Sequence, residues 1–112
     1  MEMHQVRYFL ALCDTLNFTR AAERCSVSQP TLSNAIKRLE HELGGSLFQR
    51  TPRRVAVSPL GSIVRPYLLK LERSAQDACR VAADFKAAPA RVHRMNGRNG
   101  ARADRLDREP VG

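Results

Sequence analysis

Apolar residues recur at helical spacing within residues 26–43, the segment SVSQPTLSNAIKRLEHEL. Four of them fall at i, i+4, i+7 and i+11, which is the spacing of one helical face: Leu32, Ile36, Leu39 and Leu43. Ser28 suits the N-cap, Pro30 suits a first turn in which its missing N–H is not needed, and Gly44 would end the helix. The pattern therefore predicts an amphipathic helix with its own start and stop signals.

The polar side of this helix is rich in hydrogen-bond donors that base edges or phosphates accept. Its members are Gln29, Thr31, Ser33, Asn34, Lys37, Arg38 and His41. A polar outer face is also ordinary in a helix of any small globular protein, so this helix alone favours DNA binding only weakly. The segment before this helix is stronger evidence for DNA binding.

Residues 19–25, TRAAERC, predict a short helix capped by Thr19, with Glu23 as an acidic residue in its early turns. Its two small residues, Ala21 and Ala22, would permit a close crossing by the next helix. Because only a few residues connect the two helices, together they predict a helix-turn-helix.

Five apolar positions predict a first helix over residues 3–17: Val6, Phe9, Leu10, Cys13 and Leu16. Phe9, Leu16 and Phe18 are expected to supply the core bulk that the small second helix lacks. Tyr8 and Leu12 form a second strip beside the main one. A partner helix is a candidate for covering that strip.

After Gly45 the period of the hydrophobic pattern changes, which predicts a two-stranded hairpin, or wing, within SLFQRTPRRVAVSPLG. Pro52 suits its turn. Arg50, Arg53 and Arg54 would place three cations around the tip, where they can grip a nucleic-acid backbone. A solvated charged loop is the alternative, and the position directly after a helix-turn-helix favours the wing.

Ser58 and Pro59 supply an N-cap and a first-turn proline for a further helix, predicted to run to about Lys86. Apolar positions at alternating spacings of four and three predict a coiled-coil seam in it. These positions are Leu60, Val64, Tyr67, Leu71, Ala78, Val81 and Phe85, with Ser74 as the polar member. Pro66 should bend this helix without ending it. A homodimer through this helix is expected, and packing on its own domain is the alternative.

The chain of 112 residues is long enough for about one small domain with an accessory element. Its net charge of +8 divides into +3 over residues 1–58, +2 over 59–86 and +3 over 87–112. This basic balance favours a polyanion as partner without marking a concentrated patch. The three ranges are predicted to be a DNA-binding domain, a dimerisation helix and a disordered tail.

Cysteine usage and apolar runs exclude several classes of protein. Cys13, Cys25 and Cys79 have no metal-ligand spacing and are odd in number, so we expect three small buried side chains, no cofactor and a cytoplasmic setting. No run approaches the roughly 20 apolar residues of a membrane span, so no membrane partner is expected. No nucleophile with a base or paired carboxylates stand at workable spacing, so an enzyme is not expected.

Four motifs in this sequence are highly specific together: FTRAAE, SQPTLS, IKRLEHELG and LFQR. With the SPLG that leads into the long helix, they make residues 1 to about 86 resemble the amino-terminal region of LysR-type transcriptional regulators. The resemblance implies a mainly α fold, in which a winged helix-turn-helix is followed by a linker helix that pairs antiparallel with that of a second copy. The implied activity is binding of double-stranded DNA at an interrupted inverted repeat.

The resemblance also implies roles for individual side chains. Four would meet base edges: Gln29, Pro30, Ser33 and Asn34. Six would lie nearer the DNA backbone: Thr19, Thr31, Lys37, Arg38, Arg50 and Arg53. Lys37 could instead contact a base, and Ser28 and Arg54 complete the expected DNA-binding set.

Regulators of this family continue into a larger effector-binding domain of two α/β lobes, which nothing after Phe85 resembles. We therefore expect a fragment, or a reading frame lost near Lys86, without small-molecule sensing or tetramer assembly. Two competing functions stay open. One is a dimerisation module that titrates full-length relatives into inactive heterodimers, and the other is an inert remnant.

Overall fold

Residues 1–87 are described by a computed structural model, which places four helices and one hairpin in this part of the chain. In chain order these are α1 (Met3–Thr15), α2 (Phe18–Arg24), α3 (Gln29–Leu43), β1 (Phe48–Thr51), β2 (Arg54–Val57) and α4 (Pro59–Ala87). This order confirms the mainly α winged helix-turn-helix with a long final helix. From residue 88 on, the predicted tail lies outside the described residues.

The core is built by α1, α2 and α3 and is closed by the start of the wing. Its largest completely buried side chains are Phe9, Leu12, Leu32, Ile36, Leu39, Leu47 and Val6. The ring centroids of Phe9 and Phe48 lie 5.5 Å apart, which joins α1 to β1. The predicted core role of Phe9 is confirmed, as is the inward face of α3, although Leu43 is only half-buried.

Two positions of α1 differ from the prediction. The helix ends at Thr15, because Leu16 adopts a left-handed backbone conformation with φ of 52°. Leu16 is 43% exposed, so the expectation that it supplies core bulk is wrong. Leu12 is completely buried instead of lying on an outer strip, because it stands three positions after Phe9 and shares its helical face.

The start of α2 also differs from the prediction, since its N-cap is Asn17 and not Thr19. The Asn17 Oδ1 accepts a hydrogen bond from the backbone N–H of Arg20 at 2.9 Å, which is the usual N-cap interaction. Asn and Thr both suit this position, and the left-handed turn at Leu16 decides between them. Thr19 consequently lies exposed in the first turn of α2.

The bounds of α3 agree with its sequence signals. The Ser28 Oγ accepts a hydrogen bond from the Thr31 N–H at 3.2 Å, and Pro30 stands in the first turn. Gly44 has φ of 85° and donates its N–H to the Glu40 carbonyl oxygen at 2.8 Å. This left-handed C-cap is the conformation that glycine adopts without steric cost.

The hairpin confirms the predicted wing. Its antiparallel pairs run from Phe48 with Val57 at the base to Thr51 with Arg54 at the tip. Pro52 lies in the two-residue turn between the strands. The arginines of the wing are thereby carried on a short, regular element.

Ser58 fastens the base of the wing to the start of α4. Its N–H donates to the Leu47 carbonyl oxygen at 2.9 Å, and its hydroxyl donates to the Ser46 carbonyl oxygen at 2.6 Å. Its Oγ also accepts from the Gly61 N–H at 3.0 Å, which is the predicted N-cap of α4. From the other side, the Glu40 carboxylate accepts from the Leu47 N–H at 2.8 Å, so α3 holds the same base.

The first turns of α4 pack against the core, and the helix continues through Pro66 as predicted. Leu68 is buried, while Leu60 and Val64 are half-buried against the core side chains. Two of the residues predicted for the dimerisation seam therefore pack partly within this chain, and their part in a dimer stays a prediction. Leu68 lies outside the predicted seam, because the heptad pattern follows a neighbouring face of the helix.

Two ion pairs join α4 to α1. Arg65 Nη2 lies 3.3 Å from Asp14 Oδ1, and Arg7 Nη1 lies 3.9 Å from Glu72 Oε1. Asp14 also pairs with Arg24 of α2 at 3.3 Å, so one carboxylate links three helices. Because Asp14 and its two arginines are about half exposed, these pairs contribute little beside the apolar contacts.

The chain divides into two compact units, Met1–Ser74 and Ala75–Gly112. In the first unit, α4 leaves Ile63, Tyr67 and Leu71 exposed by 65%, 70% and 42%. In the described part of the second unit, Ala78, Val81 and Phe85 are exposed as well. The predicted boundary after residue 58 stays a prediction.

The cysteines are less buried than predicted, since Cys13 and Cys25 are half-buried and Cys79 is exposed. Burial raises the pKa of the Cys13 thiol to about 11, against the opposing effect of Arg65, and also raises the pKa of Cys25. No helix within residues 1–87 has the length and apolar character needed to cross a membrane. Over the same range, no group of three or more His, Cys, Asp or Glu side chains is placed to hold a metal ion.

Candidate nucleic-acid interface

The outer side of α3 presents most of the predicted DNA-binding residues to solvent. Its exposed members are Gln29, Pro30, Thr31, Asn34, Lys37 and Arg38, whereas Ser33 is half-buried. Within residues 1–87, no hydrogen bond or ion pair engages the side chains of Asn34, Lys37 or Arg38. These side chains therefore keep their full bonding capacity for a ligand.

Thr19 connects the two helices of the helix-turn-helix at this surface. Its hydroxyl donates to the Gln29 Oε1 at 3.4 Å, from the first turn of α2 to the first residue of α3. The bond is long, but it gives the Gln29 amide a preferred orientation. With its oxygen toward Thr19, this amide presents its N–H₂ donors to the outside.

Ser28 and Thr31 bond to each other at the start of α3. The Ser28 hydroxyl donates to the Thr31 Oγ1 at 2.9 Å, in addition to accepting from the Thr31 N–H. The Ser28 hydrogen is thus used within the chain, while Thr31 keeps its own hydroxyl hydrogen for an outside acceptor. The predicted DNA contact of Ser28 stays a prediction beside this capping role.

The tip of the wing is ordered by Thr51. Its Oγ1 accepts from the N–H groups of Arg53 and Arg54, at 3.3 and 3.1 Å, and its hydroxyl donates to the Arg54 carbonyl oxygen at 3.4 Å. These local bonds hold the turn, and both arginine side chains are exposed. Two cations are thereby carried on a defined backbone.

Arg50 extends from β1 toward the helix-turn-helix. Its guanidinium carbon lies 4.7 Å from the centroid of the Phe18 ring, which is a cation–π contact. Sequence spacing gives no signal for this contact, because the two residues belong to different predicted elements. Only their presence in two separate family motifs, FTRAAE and LFQR, sets them apart.

Two grooves bring the predicted residues of the helices and the wing together. One, of about 300 Å³, lies between α3 and β1 and is lined by Lys37, Glu40, Ser46, Phe48 and Arg50. Another, of about 260 Å³, lies between the start of α2 and the wing tip, and Thr19, Arg53 and Arg54 are among its lining residues. Cations therefore face both sides of the wing, next to the polar side of α3.

A family model described as "Bacterial regulatory helix-turn-helix protein, lysR family" matches residues 3–62, which is more than half of the chain. The match runs from the start of α1 through the wing to the first residues of α4. It thus covers both helices of the helix-turn-helix and the cationic hairpin.

Curated transcriptional regulators are also similar to this chain in sequence. The chain is 46% identical over 70 residues to the HTH-type transcriptional regulator IlvR of Caulobacter vibrioides, covering 62% of this chain and 24% of that protein. It is 41% identical over 88 residues to the HTH-type transcriptional regulator BudR of Klebsiella aerogenes, covering 79% of this chain and 54% of that protein. The chain thus matches about a quarter to a half of the length of these relatives.

Solved structures are similar as well. The DNA-binding domain of BenM, in complex with catB site 1 DNA, has a TM-score of 0.73 and 33% identity, covering 79% of this chain and 98% of that chain. A full-length OxyR variant from Pseudomonas aeruginosa has a TM-score of 0.74 and 40% identity, covering 77% of this chain and 29% of that chain. Sequence motifs and fold therefore indicate the same family.

Proposed function

The chain belongs to the LysR family of bacterial regulatory helix-turn-helix proteins, and from this premise we propose that it is a regulator that binds an interrupted inverted repeat in DNA as a homodimer. The observation that carries the proposal is the outer side of α3, whose exposed Asn34, Lys37 and Arg38 have no partner within residues 1–87. A helix of this kind reads base edges in the major groove. The similar BenM domain was solved with DNA, which supports the same mode of binding.

The side chains divide between base reading and backbone contact. Gln29, Pro30, Ser33 and Asn34 form one end and one side of α3 and are proposed to meet base edges. The remaining polar residues are proposed to lie nearer the sugar–phosphate backbone: Thr31, Lys37, Arg38, Arg50, Arg53, Arg54, and Thr19, whose hydroxyl hydrogen is donated to Gln29. Lys37 is long enough to reach a base instead, since it projects from the same helix as Asn34. Phosphate contacts of this number predict a steep loss of affinity with salt.

Dimerisation is proposed to run through α4. Tyr67 and Leu71 in the first unit and Val81 and Phe85 in the second are large apolar side chains left in solvent. A second copy of the helix would remove them from water. Two copies related by a two-fold axis bind two half-sites in inverted orientation, so the operator should be a dyad.

The setting proposed for this activity is the bacterial cytoplasm, where the chromosome lies. The relatives that the chain matches are transcriptional regulators and not enzymes. We accordingly propose no catalytic activity, and neither a cofactor nor a small-molecule effector enters the proposal for residues 1–87.

A selection from random duplexes tests the proposal, followed by affinity measurements on the enriched sequence. We expect an interrupted dyad. Asn34→Ala should relax preference at one base pair per half-site by about 1 to 3 kcal/mol, because it removes a base contact. Arg53→Ala is the matched control, because loss of a phosphate contact weakens all sequences alike. Recovery of no enriched dyad would contradict the proposal.

A second candidate function is a dimerisation module that sequesters full-length relatives, and the exposure of Tyr67 and Leu71 favours it. In that case the chain's effect on expression of a reporter gene in cells is abolished by Leu71→Asp and is left intact by Asn34→Ala. The leading proposal predicts that Leu71→Asp loses the effect on the reporter gene and that Asn34→Ala weakens it, because a base contact is lost. Sedimentation of the purified chain with and without the dyad duplex separates association from DNA binding.

A further inference from the structure

The contact between Phe18 and Arg50 joins the wing to the helix-turn-helix at the proposed DNA surface. Phe18 is the first residue of α2, and its half-buried side chain packs against the core. Arg50 stands on β1, opposite Val55 in the hairpin, and its side chain is exposed. The ring is thus fixed by the core, while the cation that rests on it faces solvent.

Apart from its contact with the Phe18 ring, the charge of Arg50 has no partner within the described part of the chain. Over residues 1–87, no carboxylate forms an ion pair with it. A ring that covers one face of a guanidinium leaves the N–H groups at its edge free, since all five lie in the plane of the group. The observed arrangement therefore fixes the position of the cation and leaves its donors available.

This edge lies where a DNA backbone is proposed to pass. Arg50 lines the groove between α3 and β1 together with Lys37. Phe18 lines the groove between α2 and the wing tip together with Arg53 and Arg54. The stacked pair therefore stands between the two cationic grooves.

We propose that Phe18 is a positioning residue, whose ring holds the Arg50 guanidinium ready to donate two hydrogen bonds to one DNA phosphate. The inference rests on the proposed DNA binding and adds to it a residue that touches no DNA. A free arginine side chain loses rotamer entropy when a phosphate fixes it, and the ring reduces this loss before DNA arrives. Affinity should then depend on the aromatic ring, and base preference should not.

A double-mutant cycle on the full chain tests the role. Phe18→Leu keeps an apolar side chain and removes the ring, Phe18→Tyr keeps the ring, and Arg50→Ala removes the cation. Dissociation constants are measured by fluorescence anisotropy on the enriched dyad duplex and on a duplex of scrambled sequence, over a series of salt concentrations. Thermal melts establish that each variant is folded, and Phe18→Met replaces Phe18→Leu if the latter is not.

We expect Phe18→Leu to weaken binding of both duplexes by about two- to five-fold, the range that an exposed cation–π contact supports. Phe18→Tyr should bind like the unaltered chain. Arg50→Ala should reduce the slope of log affinity against log salt by about 0.9, the value for one lost phosphate contact. In the Arg50→Ala background, Phe18→Leu should have no further effect.

An equal loss on Phe18→Leu with and without the Arg50 side chain would overturn the inference, because the ring would then act through packing alone. A measurement without DNA checks the geometry itself. The Arg50 Nε–H proton should show a ring-current shift in the NMR spectrum that Phe18→Leu removes and Phe18→Tyr keeps. If the unaltered chain selects no duplex, the proposed function fails. If the chain binds the duplex but the cycle shows no coupling between Phe18 and Arg50, only the positioning role of Phe18 fails.

Discussion

Gly61 offers the sharpest test of the packing between α4 and the wing. It is buried in the first turns of α4, and its amide N–H bonds to the Ser58 Oγ at 3.0 Å. A Cβ built at this position would overlap the Leu47 carbonyl oxygen and lie 2.8 Å from the Val57 Cγ1. Gly61→Ala therefore sets helix propensity against a steric clash.

The two effects have opposite signs, and their magnitudes decide the outcome. Alanine in place of glycine stabilises a helix interior by about 1 kcal/mol, which is an upper limit for Gly61 because it is the third residue of α4. Overpacking costs about 1 to 3 kcal/mol, and the upper value applies here because the overlapping atom belongs to the backbone. The Leu47 carbonyl is also held by the Ser58 N–H at 2.9 Å, so it cannot withdraw without breaking that bond. We expect a net loss of about 2 kcal/mol in the free energy of unfolding.

Urea unfolding at one fixed protein concentration measures this loss, since a dimer makes stability depend on concentration. Ser62→Ala is the matched control, because Ser62 is the next residue of the same helix and is exposed. It should stabilise slightly, by a few tenths of a kcal/mol. A Gly61→Ala chain as stable as the unaltered chain would refute the clash, and with it the close contact between α4 and the wing.

Further predictions concern the interface and the thiols. Thr19→Val should free the Gln29 amide, which the Thr19 hydroxyl orients at 3.4 Å. A selection with this variant should then tolerate adenine at the base that faces Gln29, whereas Thr19→Ser should leave the selected base unchanged. Identical selected sequences for both variants would contradict the orienting role. A thiol reagent at pH 8 should modify Cys79 before Cys13 and Cys25, because Cys79 is exposed and burial raises the pKa of the other two. If Cys79→Ser still shows a fast phase of thiol modification, this order is wrong. Because the pKa of Cys13 rises from 9.0 to about 11 on folding, its contribution to stability is complete below pH 9 and is lost toward pH 11. Urea unfolding of Cys13→Ala across this range should show a smaller alkaline loss than the unaltered chain.

Features that depend only on residues close together along the chain could be predicted from the sequence. Ser28, Pro30 and Gly44 act on the backbone of their own segment, so both ends of α3 follow from residue type alone. The change of hydrophobic period after Gly45 likewise predicts the hairpin, and the position after the helix-turn-helix favours a wing over a solvated loop. The N-cap of α2 was not predicted, because Asn17 and Thr19 are both favourable N-cap residues and the backbone turn at Leu16 decides between them.

Features that depend on distant residues lie beyond a periodic pattern. The burial of Leu68 depends on which face of α4 the core meets, and the heptad pattern alone favours the neighbouring face. The ion pair of Asp14 with Arg65 joins residues 51 positions apart, so spacing along the chain does not predict it. The same holds for Arg50 above Phe18, whereas the pattern along α3 does predict its exposed polar side, with Ser33 half-buried as the exception.

The three hydrogen bonds of Ser58 have a consequence for how the wing opens. They tie its base to Ser46, Leu47 and Gly61, so the hairpin and the first turn of α4 separate from the core in one step. Amide protons at the base of the wing should exchange with deuterated solvent at the rate at which the whole domain unfolds. Amide protons in the turn of the wing should exchange faster. The arginines at the tip are therefore carried on a hairpin that is anchored to the rest of the domain at its base.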